Sequence, residues 1–332
     1  MSASTDATPA RMKQVIYPRY GSPDALELRD VDVPAVPADR VLIRVKASSV
    51  NALDWHSLRG EPFMVRLSDG LRRPKDGRLG TDVAGVVEAV GADVSGFVSG
   101  DRVFGVCAGA YSSFAVARPD RLTAIPASIS FEEAAAVPVA GTTALQAVRD
   151  HGRVQAGESV LIHGAGGGVG MFAVEIAKSF GARVTAGSGA ANAERLRSIG
   201  ADEVLDSSRD DFTRLGRRFD VVIDVAGTRS LGAGLKTLKP GGRYVIVGGP
   251  SGRWIKPLDR TLQAVVRSRL LRQPAVVFLA RIRPDDLADL RDRLAAGTLR
   301  PVIGATFSLG AIAEAVRFVE QRRAFGKVVI TV

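Results

Sequence analysis

Cysteine is nearly absent from this chain of 332 residues: Cys107 stands alone. That excludes an intramolecular disulfide and any zinc site built on several thiolates. Histidine is also scarce, with three in the whole chain, so nitrogen ligands are few. No apolar run approaches the roughly 20 residues a membrane-spanning helix needs. Residues 1–11 (MSASTDATPAR) have no apolar segment and read as a disordered tail, not a signal peptide. With so few thiols, a reducing cytoplasm is the expected compartment. Acidic residues are the minority, 35 against 45 basic ones, for a net charge of +10. Part of the excess is a cluster of Arg253, Lys256, Arg260, Arg267, Arg269, Arg272, Arg281 and Arg283, interleaved with apolar residues. No nucleic-acid motif accompanies it, so it reads as a solvated basic face, with an anionic surface or ligand as the alternative.

Glycine is abundant, and its placement is informative. The stretch VLIHGAGGGVG (160–170) passes from a short apolar strand into a turn with glycine at 164, 166, 167, 168 and 170. A helical pattern follows, with Phe172, Ile176 and Phe180 on one face. The spacing is Gly164-x-x-Gly167-x-x-Gly170 and does not fit G-x-G-x-x-G. Strand, glycine turn and helix predict a dinucleotide site, because such a turn lets a pyrophosphate reach backbone N–H groups at a helix N-terminus. Further strands are expected at 182–186, 203–205, 220–224 and 243–247, with a helix at 193–199 before Gly200. This alternation predicts an α/β fold with a doubly wound parallel sheet.

Before the turn, valine-rich runs at 41–47, 82–91, 101–105 and 111–116 predict a compact antiparallel β domain. Ser130 and Glu133 form a capping-box pattern for a helix from Phe131. A segment of small residues then leads through Pro138 into a helix ending near Asp150, the bridge between domains. An apolar run at 274–280 is expected at a sheet edge, where it invites pairing with a second copy, so a homodimer is expected. Leu287, Leu290 and Leu294 mark a helix stopped by Gly297, Ser308 is expected to cap a last helix, and 326–332 closes as a strand.

Six stretches carry a resemblance that covers residues 12–332: VNALDW (50–55), GTDVAGVVEAVG (80–91), GDRVFG (100–105), AGTTA (140–144), the glycine turn and GKVVI (326–330). In order and spacing the chain resembles the medium-chain dehydrogenase/reductase superfamily, in its zinc-free quinone oxidoreductase (zeta-crystallin-like) branch. The resemblance implies a GroES-like β-rich catalytic domain from 12–135 and 283–332. A Rossmann domain of 136–282 completes the chain, with the cofactor in the cleft between the two.

Zinc-dependent members carry a ligand cysteine where this chain has Asn51, and Gly-His-Glu where it has Gly80-Thr81-Asp82. Their four-cysteine lobe is missing. The resemblance therefore implies no zinc and no metal ligands, since a catalytic zinc needs about three protein donors. Without a Lewis acid, simple alcohol oxidation has no obvious driver. Hydride transfer from NAD(P)H to a quinone or an α,β-unsaturated carbonyl remains feasible, because such acceptors stabilise their own developing charge.

On the family's positions, Asn51 lies near the nicotinamide, Asp54 orients it, and Thr143 lies on the nicotinamide side. His56 and Tyr111 are proton-donor candidates by chemistry alone. The expected cofactor contacts are Gly164, Gly167, Gly168, Val169, Gly170, Ser188, Asn192, Val247, Gly248 and Lys327. Residues 186–192 (AGSGAAN) carry no acid to hold a ribose 2′-OH, which favours NADPH over NADH. Ser188, with Arg195 or Arg209, is the candidate phosphate contact. NAD stays open, because Ala191 and Asn192 stand where NADP-binding members have a basic residue. Trp55, Phe63, Met64, Trp254 and Phe278 are candidate linings for the acceptor pocket, and Cys107 is read as packing. Two other functions stay open: an NAD(P)-dependent alcohol dehydrogenase, and a nucleotide-binding scaffold or membrane-associated protein with little turnover.

Overall fold

Valine-rich runs become strands because β-branched side chains pack well on a pleated surface. The computed structural model describes residues 8–63, 65–248 and 275–332. Its first strands are β1 (Arg11–Ile16), β2 (Glu27–Asp32), β3 (Val41–Val50), β4 (Asp82–Val90), β5 (Arg102–Val106), β6 (Phe114–Ala117) and β7 (Leu122–Ala124). β1 and β2 pair antiparallel from Arg11↔Asp32 onward, so ordered structure begins inside the stretch expected to be a tail. The cause is local: the Arg11 guanidinium bonds to the Asp32 carboxylate and the Asp30 carbonyl. The strand expected from Tyr111 starts later, at Phe114, because Ser112 Oγ closes a turn onto the Gly109 and Phe114 carbonyls.

Three short helices accompany these strands: α1 (Ala52–Arg59), α2 (Val65–Asp69) and α3 (Phe131–Ala135). At α3 both capping-box bonds form, Glu133 N–H to Ser130 Oγ and Ser130 N–H to Glu133 Oε2. Next comes α4 (Pro138–Leu145), which widens into a π-helical turn over Gln146–His151. Alanine-rich α3 and α4 carry a continuous apolar core. It runs from Ala47, Ala84 and Phe104 on one sheet to Phe172 and Ile176 beside the other.

The second sheet is parallel throughout. Its elements are β8 (Ser159–His163), α5 (Gly168–Ser179), β9 (Arg183–Ser188), α6 (Ala193–Ser198), β10 (Glu203–Asp206), β11 (Phe219–Asp224), α7 (Leu231–Leu235), β12 (Leu238–Ile246) and β13 (Ala275–Val277). The strand expected at 243–247 thus begins earlier, at Leu238. The spatial order is β10-β9-β8-β11-β12-β13, so the chain reverses direction at β8. Ligands of such sheets bind at the carboxyl end of that reversal, which is where the glycine turn lies. β13 forms one edge through pairing with β12, and Val277 and Leu279 beside it are exposed.

The chain then returns to the first sheet through α8 (Pro284–Ala295), β14 (Ile303–Ser308), α9 (Ile312–Glu320) and β15 (Lys327–Thr331). Leu287, Leu290 and Leu294 are buried, and Gly297 ends α8 at φ +66°. Ser308 departs from expectation: its hydroxyl caps nothing, because a 3-10 turn over Leu309–Ala311 separates it from α9. β15 pairs parallel with β14 and antiparallel with β3, giving the order β14-β15-β3-β4-β5-β7 with β6 also on β3. Among the described residues, no helix is long and apolar enough to cross a membrane.

Candidate active site and cofactor cleft

β3 ends at Val50 and α1 starts at Ala52, so Asn51 is the residue where strand turns into helix. Its backbone N–H donates to Asp54 Oδ2 at 2.7 Å, which ties the helix start from its third residue. Both ends of its nearly buried amide are engaged. Nδ2 donates to Asp82 Oδ2 at 2.8 Å, and Oδ1 accepts from Lys327 Nζ at 2.6 Å. The convergence follows from strand order. β15 and β4 flank β3, with Val328 opposite Val50 and Asp82 opposite Ser49.

Asp54 is buried on the other side of this turn. Tyr111, fully buried, donates its hydroxyl to Asp54 Oδ2 at 2.9 Å. Burial pushes the Asp54 carboxyl up to about 6, against the lowering effect of the bonds from Asn51 and Tyr111. Beside Asp54 lies a cavity of about 290 Å3, lined also by Tyr17, Leu53, Ser57, Thr81 and Gly109. His56 is turned to another task. Its Nδ1 lies 2.7 Å from the Glu61 carbonyl, and its ring stacks on Trp55 with centroids 3.7 Å apart. A carbonyl only accepts, so Nδ1 carries the proton and Nε2 of the neutral ring is an acceptor. Burial lowers the His56 pKa, which favours that neutral ring.

On the nucleotide side, Gly164 has φ +90°, and a Cβ on Gly170 would stand 2.2 Å from the Gly164 carbonyl oxygen. The turn closes only with glycine at both positions. Gly167 precedes α5 without a side chain to cap it, leaving first-turn N–H groups for an anion. Ser188 Oγ accepts from Asn192 Nδ2 at 3.0 Å at the end of β9. Both atoms lie within 2.8 Å of where a Cβ on Gly166 would be, so they converge on the turn. The Arg195 guanidinium stands 5.4 Å from the Phe325 ring centroid, near the same place. Glycine turn, helix terminus and polar pair fit a dinucleotide.

The remaining sequence candidates fall around this cleft. Thr143 lies on α4 and donates to the Val139 carbonyl at 2.7 Å. Val169 packs on the core. Val247 and Gly248 leave β12 with their N–H groups on the Asp224 carbonyl, at 3.0 and 3.3 Å. Lys327 divides its side chain. The stem lies 2.7 Å from where a Cβ on Gly168 would be, and the ammonium reaches Asn51, Val50 and Asp82.

The pocket residues scatter. Phe278 packs on His151 at 4.2 Å between centroids, Phe63 is exposed, and Met64 and Trp254 lie outside the described residues. Cys107 packs against the β3–β5 core, and burial pushes its thiol up to about 12. Of the basic cluster, Arg283 reaches Asp150 and the Arg281 N–H meets Gln146, while the residues from 253 to 272 lie outside the described residues.

Ser49 was not singled out from the sequence, and Asp82 was noted only as part of the Gly80-Thr81-Asp82 stretch that replaces Gly-His-Glu, not as a site residue. Among the described residues, no group of three His, Cys, Asp or Glu side chains is placed to hold a metal ion. Asn51, Thr81 and Asp82 offer an amide, a hydroxyl and a carboxylate already engaged by other donors, a set that does not fit catalytic zinc.

A parallel sheet with an anion-ready turn, facing a second sheet across a polar cluster, defines a two-domain dinucleotide-binding protein. Comparison with known proteins narrows this. Residues 37–147 match the alcohol dehydrogenase GroES-like domain, and residues 199–330 match the zinc-binding dehydrogenase family. The chain is 33% identical to the quinone oxidoreductase of Sus scrofa, over 94% of this chain and 95% of that one. It is 31% identical to the 2-methylene-furan-3-one reductase of Solanum lycopersicum, over 99% of this chain and 81% of that one. The solved quinone oxidoreductase of Coxiella burnetii superposes with a TM-score of 0.85 at 28% identity, covering 97% and 99% of the two chains. The chain belongs to the medium-chain dehydrogenase/reductase family, in its quinone oxidoreductase branch, whose members are oxidoreductases that bind a nicotinamide cofactor.

Proposed function

We propose that this protein reduces a quinone or an α,β-unsaturated carbonyl with NADPH and without zinc. The observation that carries the reading is the Asn51 amide, engaged at both ends by Asp82 and Lys327 at the position where zinc-dependent relatives hold a ligand. Likeness to a quinone oxidoreductase and to a furanone reductase supports the acceptor class.

When bound, the nicotinamide supplies a hydride to an electron-poor carbon. The turn from Gly164 to Gly170 and the start of α5 bind the pyrophosphate. Ser188 and Asn192 take the adenosine end, and the lack of an acid beside Ser188 supports a 2′-phosphate. Thr143 and Asn51 flank the nicotinamide side. One hydrogen of the Asn51 amide goes to Asp82, and the other is left to polarise the acceptor oxygen. Asp54 holds the turn beneath Asn51 by accepting from the Asn51 backbone N–H. Tyr111 is fully buried and acts through Asp54. A homodimer through the β13 edge completes the reading, supported by the exposed Val277 and Leu279.

The test is NADPH and NADH oxidation against 1,4-benzoquinone, 9,10-phenanthrenequinone and simple enones, with metal analysis of the same preparation. Turnover in metal-free protein with NADPH preferred is the expected result. Stoichiometric zinc with alcohol oxidation would replace this reading by that of an alcohol dehydrogenase.

A further inference from the structure

Asp82 opens β4 and is wholly buried, yet it takes four donors from three stretches of chain. Ser49 Oγ at 2.5 Å, Asn51 Nδ2 at 2.8 Å and Lys327 Nζ at 3.4 Å converge on Oδ2. The N–H of Val139, in the first turn of α4, meets Oδ1 at 2.9 Å. One carboxylate on β4 therefore ties together β3 with the turn that follows it, β15, and the helix that bridges the two sheets.

We infer that Asp82 is a positioning residue: with Lys327 it fixes which way the Asn51 amide faces, and it registers that orientation against the start of α4. This rests on the functional reading of Asn51 given above. An amide is ambiguous, because its oxygen accepts and its nitrogen donates. Its two neighbours are not ambiguous, since a carboxylate only accepts and an ammonium only donates. A flipped Asn51 would set its oxygen against Asp82 and its NH2 against Lys327, two repulsions in a site nearly shut off from water. Only one of the two orientations survives, and it leaves one N–H of known identity for a ligand. The Val139 bond adds the second half of the argument. The helix that carries Thr143 and the turn that carries Asn51 are both referenced to the same side chain, so the two groups flanking the nicotinamide side move together.

The direct test is hydrogen exchange of the Asn51 side-chain amide by NMR, its signals identified by their loss in Asn51→Ala. In wild type one of the two amide hydrogens is expected to exchange slowly. In Asp82→Asn an amide stands at 82, which can present either its oxygen or its NH2 and so no longer dictates how Asn51 faces, and that protection is expected to fall by about tenfold. Unchanged exchange in Asp82→Asn overturns the proposal.

Kinetics give a second, separate reading. Asp82→Asn should lower kcat by about 100-fold, as small misplacements at reacting centres do. NADPH affinity, measured by fluorescence quenching, should stay within about threefold of wild type, below half the tenfold step of 1.4 kcal/mol. Added to Asn51→Ala, Asp82→Asn should cause no further loss, whereas losses that multiply overturn the coupling. Asp82→Asn leaves a buried ammonium uncompensated, so Asp82→Asn/Lys327→Met is made alongside. It should fold like wild type and keep the kcat loss. Recovery of wild-type kcat in that double variant overturns the proposal. If wild type oxidises NADPH in the presence of none of the quinones or enones, the functional reading fails, and the exchange experiment still decides the orientation of Asn51.

Discussion

The Tyr111 hydroxyl donates to Asp54 Oδ2 at 2.9 Å, and neither side chain has meaningful access to solvent. The relationship shapes both groups. Burial, then the Asp54 charge, push the Tyr111 phenol well above its ordinary range, so it stays protonated and keeps donating. Burial likewise lifts Asp54, and the neighbouring Asp82 adds to it.

Stability is expected to fall as pH rises through this carboxyl. Unfolded Asp54 loses its proton near 3.8 and folded Asp54 near 6, so the folded state holds the extra proton in between. Its ionisation therefore costs nothing below about pH 4, where both states hold the proton, and comes to cost about 3 kcal/mol above pH 6. Asp54→Asn keeps an acceptor for Tyr111 and Asn51 and should lose that slope. Urea unfolding of both proteins from pH 5 to 8 checks it, and parallel curves would refute it.

Glu175 is a second buried acid, on α5, where it faces the segment at Arg300. Its Oε1 accepts from the Arg300 N–H at 3.1 Å, while Oε2 is buried without a partner. Burial pushes the carboxyl up to about 8 from 4.5. Between those values folding takes up a proton, so stability declines as pH rises through the window and levels off above it. Glu175→Gln should be more stable than wild type at pH 9, by on the order of 4 kcal/mol, and about equal at pH 5. Thermal melts at the two pH values would show it.

Arg149 holds the return of the chain to the first sheet. Its guanidinium bonds to Asp286 at 2.6 Å, and that carboxylate is 1% exposed. Arg149→Met leaves Asp286 with Gln146 alone and should cost about 3 kcal/mol, the low end for a broken buried pair because Arg149 itself is partly solvated. The denaturation midpoint should drop without change in m.

Cofactor choice should respond to one residue at the end of β9. Ser188→Asp would place a carboxylate where the 2′-phosphate is proposed to sit. The ratio of kcat/KM for NADPH over NADH should fall by about 100-fold, since like charges brought together cost several kcal/mol. A ratio unmoved by the substitution would mean that the phosphate is bound elsewhere.

Association is expected through the β13 edge. Light scattering should give a dimer mass at micromolar protein, and Leu279→Glu, at a residue 89% exposed, should give a monomer. A dilution series showing monomer only would remove this part of the reading.

The sequence and the structure part company along a physical line. Local patterns were legible: the apolar strand before the glycine turn, the Ser130–Glu133 capping box, and the leucines of α8 all act within a few residues of themselves. The Asp82 cluster was not legible, because its donors come from residues 49, 51, 139 and 327 and meet only once strand order is set. Glu175 reads as a polar position on a helix surface until the segment at Arg300 covers it. His56 has the right chemistry for a proton donor, but only the fold reveals the Glu61 carbonyl that takes its Nδ1.

Beside the shared core, the two sheets touch through three glycines. The Gly326 N–H donates to the Gly166 carbonyl at 2.9 Å, and Gly167 bridges to Gly326. A Cβ on Gly326 would stand 2.2 Å from the Val302 oxygen, and one on Gly166 would stand 2.5 Å from Ser188 Oγ. At this one contact the halves meet through backbone alone, with no side chain for mutation to adjust. Side chains open to exchange lie instead in the walls of the cavity beside Asp54 and at the end of β9. Retuning of those side chains can therefore proceed while this joint between the halves stays as it is.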